Sequence, residues 1–381
     1  MIASLWNGYQ LLTRPYDFLR KEHDGWVALP GMGRVLITGD GEMVARVARH
    51  PGLEGGRAHR AMRATLGDDH LIVMSGPQHR QRSRQVRRAL TSFTSDAEVA
   101  GVTREEFGRI PLGRPISLQR VAHRASLRII LRGLVGRDDP TLIKLSQDFQ
   151  ASFSSPLLLF INKLRMDLGP WSPWGRLLRR RARLQAALLQ AAGQAPAESI
   201  ACRLPAHIWP QELLPQLMFG HETTAATFAW CFALLYPEAR TRIAGGEEAF
   251  TLAYVQECMR LCPPVTQLTR TAVEEIELGP YRLTPGTVVM PAIPALHHRR
   301  WDQPERLRPS RFLEPVDPHR YCPFGVGERI CPGKPMALRQ LVVMLQTVLQ
   351  NFKLDLLNRP RPVRQLFLVV PAGGTPVVRR A

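Results

Sequence analysis

Lysine is scarce in this 381-residue chain: of 51 basic residues, five are lysine and 46 are arginine. Acidic residues number only 32, so the formal net charge is +19. Such an excess suits nucleic acid or an anionic membrane when the charges stand in blocks. Here the arginines are spread along the chain, and no nucleic-acid binding is expected. Metal-type cysteine spacing is missing as well. The six cysteines, Cys202, Cys231, Cys258, Cys262, Cys322 and Cys331, include no C-x-x-C pair and no His/Cys cluster of zinc type. Cys258 and Cys262, one helical turn apart, read as core residues, and a reducing cytoplasm fits. The first 20 residues hold no unbroken apolar run, because Trp6, Asn7, Tyr9, Arg14 and Asp17 interrupt it. Neither a signal peptide nor a membrane anchor is expected. No repeat, low-complexity tract or compositional break marks a linker, so residues 1–381 read as one large domain.

What is present is a 45% apolar chain with mostly helical periodicity. Helices are predicted over 16–24, 42–49, 78–90, 116–135 and 141–151, with a basic one through Arg183, Leu184, Leu188 and Leu189. A central helix from about Pro215 to Tyr236 carries Leu217, Met218, Phe228, Cys231, Phe232 and Leu235. Another runs from about Phe250 to Leu261 and stops before Pro263-Pro264. Trp26–Leu29 and Arg34–Thr38 read as a hairpin around Pro30-Gly31-Met32-Gly33. Ile276–Leu283 and Thr287–Met290 are strand-like runs, and Leu366–Val378 reads as a last hairpin. Residues 52–75 are glycine-rich and irregular. Residues 152–175 are apolar and aromatic (Phe153, Leu157, Leu158, Leu159, Phe160, Ile161, Trp171, Trp174), broken by Pro156, Pro170 and Pro173. The fold class is mainly α with small β-sheets.

The most informative string is Phe324-Gly325-Val326-Gly327-Glu328-Arg329-Ile330-Cys331-Pro332-Gly333. It places one cysteine behind a glycine-rich loop and ahead of a helix. That helix is marked by Met336, Leu338, Leu341, Val342, Leu345, Val348 and Leu349. Glycines let backbone pass close to a flat ring. Pro332 is expected to start the helix, where a missing N–H costs nothing. The first free N–H groups should point at the sulfur and help keep it anionic.

The string resembles the haem-binding loop of the cytochromes P450. Three further segments match that family in order: Gly220-His221-Glu222-Thr223-Thr224, then Glu257-Cys258-Met259-Arg260, then Pro309-Ser310-Arg311-Phe312. The resemblance implies the cytochrome P450 fold, with haem b between the central helix and the cysteine-loop helix. It implies Cys331 as axial thiolate to the iron, which favours O–O cleavage of bound dioxygen. Phe324 and Gly333 would shape the cofactor loop. Arg329, Arg270 and His79 would hold the haem carboxylates, which are costly to bury unpaired. Glu222 and Thr223 would relay protons, beside a Gly220 that leaves room for oxygen. Thr224 would bond to backbone. Glu257, Arg260 and Arg311 would form a structural trio.

Two positions depart from the family pattern. Phe219 replaces a small residue, and either narrows the space above the iron or turns into packing. Ser83 stands where an arginine usually follows His79, so Arg82 or Arg84 reaches in, or that contact is missing.

The implied activity is a P450 monooxygenase that inserts one oxygen atom from O2 into a fatty acyl, terpenoid or polyketide-like substrate. Electrons would come from NAD(P)H through a separate ferredoxin or flavodoxin with its reductase. Arg80, Arg82, Arg84, Arg87 and Arg88, joined by Lys334 and Arg339, would offer a basic docking face for that acidic carrier. A cytoplasmic monomer is expected. Two other readings are a peroxide-driven P450 and a thiolate-haem sensor or ligand-binding protein without turnover. The Glu222-Thr223 pair speaks against both.

Overall fold

The computed structural model describes residues 2–21, 24–91, 94–153, 168–365, 368–371, 373 and 375–380. It is mainly helical with small sheets. The chain divides into two compact units, one of residues 1–58, 96–125 and 223–381, the other of residues 59–95 and 126–222.

In the larger unit the predicted hairpin pairs Gly25–Leu29 antiparallel with Gly33–Thr38. Its turn needs glycine, since Gly31 and Gly33 both have φ of 70°. Five strands form one sheet in the order Gly25–Leu29, Gly33–Thr38, Val288–Pro291, Arg270–Ala272 and Leu53–Glu54. Successive side chains of a strand face opposite ways. Val35 and Ile37 therefore join Val27, Leu29, Met290 and Phe18 in one cluster, while Leu36 joins Val47, Leu53 and Val289 in another. The strand is buried on both faces. Ile276–Leu278 and Tyr281–Leu283 form their own small hairpin.

The cysteine-loop helix, Lys334–Asn351, buries Met336, Leu341, Val342, Leu345, Val348 and Leu349. Leu338 is only half-buried. The helix packs on Glu248–Leu261 and on Asp96–Gly108. The latter helix is not apparent from periodicity, because its inward face mixes Thr103 and Glu106 with Val99, Val102 and Phe107. Ile2–Thr13 is also helical, with Leu5, Trp6, Tyr9 and Leu12 turned to solvent. The predicted last hairpin is displaced. Pro362–Gln365 pairs with Leu368–Pro371, while Pro376–Arg380 joins Lys353–Leu356 and Pro115–Ser117 in a separate sheet.

In the smaller unit, Pro140–Gln150 packs along Pro173–Ala192. Phe149, Leu177, Leu184 and Leu188 are buried there. Ser172 caps the second of these helices, accepting from Gly175 N–H at 3.0 Å. Leu157, Leu158, Leu159, Phe160 and Ile161 lie outside the described residues, whereas Trp174 is buried and Trp171 exposed.

The central helix spans Trp209–Ala233, not 215–236, with Pro215 inside it. Pro237 opens the next helix, Pro237–Ala244, and its ring pushes the residue before it to extended backbone, so the central helix ends upstream. Among the described residues, no helix is long and apolar enough to cross a membrane.

Candidate functional site

Cys331, Phe324, Gly333, Arg329, Arg270, Thr223, Glu257, Arg260 and Arg311 belong to the larger unit, and His79 and Glu222 to the smaller. The cysteine loop is shaped by two left-handed glycines, Gly325 at φ 77° and Gly327 at φ 69°. Gly325 N–H donates to Cys322 O at 2.9 Å, and Cys331 N–H donates to Phe324 O at 2.8 Å. A Cβ at Gly327 would stand 3.1 Å from Ala48 O, so the loop lies tight against its neighbour.

Cys331 keeps an open face, and Gly333 N–H donates to its sulfur. Crowding by the surrounding chain still pushes the thiol up, and this outweighs the Gly333 bond. The backbone N–H of Gly333 thus helps the anionic form, as expected, while burial opposes it by more. The helix start is corrected: Gly333 is the N-cap, and Pro335, not Pro332, occupies the first turn.

Arg270 is 5% exposed, and burial lowers its pKa to about 10. Among the described residues its guanidinium makes one hydrogen bond, to Thr269 O at 3.0 Å, and no ion pair. Arg329 is also lowered to about 10, first by burial and then by the like charge of Arg270. Its side chain lies over Gly55, where an added Cβ would come within 2.8 Å of Cζ. Glu54 and Glu328 partly offset the charge of Arg329. The buried Arg270, with no ion pair among the described residues, fits a cofactor that brings its own carboxylates. An open cysteine in a glycine loop fits the same cofactor's iron. The residues present thus match a haem group.

Glu257, Arg260 and Arg311 come together. Arg260 binds Glu257 in a fork, Nε at 2.7 Å and Nη2 at 2.9 Å, with both side chains essentially buried. Arg311 Nε stands 3.4 Å from the same carboxylate, and Arg308 N–H donates to it at 2.8 Å. One further participant escaped the sequence reading. His297 is 1% exposed and accepts Cys322 N–H on Nε2 at 3.0 Å, so Nδ1 carries the proton, donated to Arg260 O at 3.2 Å. It ties the trio to the start of the cysteine loop. The adjacent pair His297-His298 was the available signal, but it has no spacing rule.

On the central helix, burial raises Glu222 to about 7. Thr227 Oγ1 donates to Thr223 O at 2.9 Å. On its Cβ side Gly220 is packed: an added Cβ would meet Ile130 Cδ1 at 3.0 Å. Glycine here serves close helix packing. Phe219 is half-buried.

His79 and Ser83 share the buried face of Gly76–Ala89. Neither flanking arginine replaces the absent one. Arg82 pairs with Glu212 at 2.8 Å and donates to Asp69 O at 3.2 Å, and Arg84 is exposed. Arg339, counted toward a basic face, is matched by Asp96 and Glu248.

The family model described as Cytochrome P450 matches residues 249–375. A Mycobacterium tuberculosis protein, provisionally named cytochrome P450 137, is 28% identical over 384 residues, covering 91% of this chain and 80% of its own. A cytochrome P450 structure from Thermus thermophilus aligns at TM-score 0.78 and 26% identity, covering 98% of this chain and 97% of its own. A six-coordinated cytochrome P450 from a second strain of Thermus thermophilus aligns at TM-score 0.76 and 26% identity, covering 96% and 98% respectively.

Proposed function

The chain belongs to the cytochrome P450 family of haem monooxygenases, and from that premise we propose that it inserts one atom of O2 into an apolar organic substrate. The balance is substrate C–H plus O2, two electrons and two protons, giving the alcohol and water. We assign the electrons to NAD(P)H, delivered by a separate ferredoxin or flavodoxin with its reductase. Fatty acyl, terpenoid and polyketide-like compounds are the substrate classes considered. Residues 1–381 are read as one haem-thiolate domain, working as a monomer in the cytoplasm.

Cys331 would hold the iron, with Phe324 and Gly333 framing the loop. Arg329, Arg270 and His79 would hold the carboxylates. Bound haem supplies the activation of dioxygen and the entry of electrons. Glu222, held near pKa 7, can take a proton from water and release one at neutral pH. Thr223, next to it, has a hydroxyl able to donate and accept, which suits it to order water or a bound oxygen. Glu257, Arg260 and Arg311 would hold the polypeptide beneath the cysteine loop rather than react.

The observation carrying this reading is the buried Arg270, without a carboxylate partner among the described residues, in the same unit as an open glycine-loop cysteine. The retained Glu222–Thr223 pair favours O2 over peroxide as oxidant. Two measurements test it. Haem-loaded protein, reduced under carbon monoxide, should give the long-wavelength Soret band of sulfur ligation, lost in Cys331→Ala. Product formed under 18O2 should carry the label. A band unchanged by Cys331→Ala would refute the ligand assignment, and unlabelled product would refute the oxygen source.

A further inference from the structure

Away from the cysteine loop, the smaller unit buries a histidine whose ring is left unbonded. His70 is fully buried, and neither ring nitrogen has a hydrogen-bond partner among the described residues. Orphaned polar atoms of this kind are rare and point to a missing ligand. The Nε atoms of Arg63 and Arg181 are buried and unpartnered as well. Both arginines lie close enough to His70 to act on it electrostatically. Three elements supply the three residues. Arg63 opens the short helix Arg63–Leu66, His70 precedes the turn Leu71–Val73, and Arg181 lies on Pro173–Ala192.

The placement is built rather than accidental. Gly67, at φ 105°, lets the Arg181 guanidinium approach, since an added Cβ would stand 2.9 Å from Nη2. Glu212, fully buried, accepts Leu71 N–H at 2.8 Å and Arg82 Nη1 at 2.8 Å, fixing the backbone next to His70. His70 itself is neutral at physiological pH, because burial and the nearby Arg63, His59 and Arg181 lower its pKa to about 4. Among the described residues, Asp68, exposed, is the acid acting on this group. Two guanidinium charges against one carboxylate leave one positive charge to be matched. Leu66, Leu71 and Val73, close to Arg63 and His70 in sequence, are buried. A single planar anion on an apolar body suits such a set of side chains.

We propose that His70, Arg63 and Arg181 form a recognition site for the carboxylate head of an amphiphilic substrate. The ligand's being a substrate rests on the monooxygenase reading; its being a carboxylate rests on these side chains alone. The probes are dodecanoate, methyl dodecanoate and acetate, titrated calorimetrically into the haem-loaded protein. Dodecanoate should bind tighter than its methyl ester on the order of tenfold to a hundredfold, the range of a charge-assisted bond. Arg181→Gln, a half-buried helix position expected to fold, should abolish the preference; Arg63→Gln should weaken it, and Arg181→Lys should restore part. Equal affinity for acid and ester overturns the proposal. So does a preference that survives both glutamine substitutions, or acetate binding as tightly as dodecanoate. A missing sulfur-type carbon monoxide band would instead sink the haem reading and leave the calorimetric comparison of acid with ester intact.

Discussion

Arg260 and His297 hold each other by reciprocal bonds, Nη1 to the histidine carbonyl at 3.1 Å and Nδ1 to the arginine carbonyl at 3.2 Å. Because Nε2 accepts from Cys322, the ring must stay neutral. Burial lowers its pKa to about 3, aided by Arg260 and Arg20. In the unfolded chain His297 titrates near 6.5. The folded-state pKa is depressed, so the stability from this ring is complete above about pH 6.5 and drains away as pH falls toward 3. Between pH 7 and pH 5 one such histidine should cost about 2 kcal/mol. Urea midpoints at the two pH values should therefore differ less in His297→Gln than in the parent.

Glu257→Ala would strand Arg260 and Arg311, a loss of about 3–5 kcal/mol for a broken buried pair. The expected outcome is protein that fails to retain haem, read as the haem-to-protein ratio after purification. Recovery of normal holoprotein would refute a structural role for the trio.

Gly55→Ala adds a methyl where the Arg329 side chain lies. The arginine must move, and the carboxylate it is assigned to loses a charge-assisted bond. Haem transfer to apomyoglobin should accelerate on the order of tenfold, with the far-ultraviolet circular dichroism unchanged. An unaltered rate would remove Arg329 from the cofactor contacts.

Gly220→Ala should destabilise by about 1–3 kcal/mol through overpacking on Ile130. Adding Ile130→Val should recover part of the lost Tm. If Gly220 instead matters only for oxygen access, the melting temperature will not move.

Glu222, held near pKa 7, is mostly protonated at pH 6 and mostly ionised at pH 8. Product formed per NAD(P)H consumed should therefore fall as pH rises through 7. Glu222→Gln cannot titrate, so its yield should be lower and flat across this range. A sloping profile in that variant would assign the proton to another group.

Much of this architecture is legible from residue order. The glycine turns of the cysteine string, the Glu257–Arg260 spacing and the apolar run in Arg34–Thr38 each state a local rule, and the chain obeys it. What escaped depends on partners far away in sequence. His297 means nothing until Arg260 and Cys322 close around it. The contact of Gly220 with Ile130 stays hidden until the fold brings the two together. The helix Asp96–Gly108 hides because its inward face carries Thr103 and Glu106. The thiol of Cys331 shows the same limit: helix position argues for ionisation, and only the surrounding atoms reveal that crowding wins.

Glu212 anchors the backbone at Leu71 and the side chain of Arg82 to one carboxylate. On the inferred carboxylate site, a library aimed at new guest molecules should randomise 59–65 and spare Leu66, Leu71, Arg82 and Glu212, which are buried or tied to that anchor.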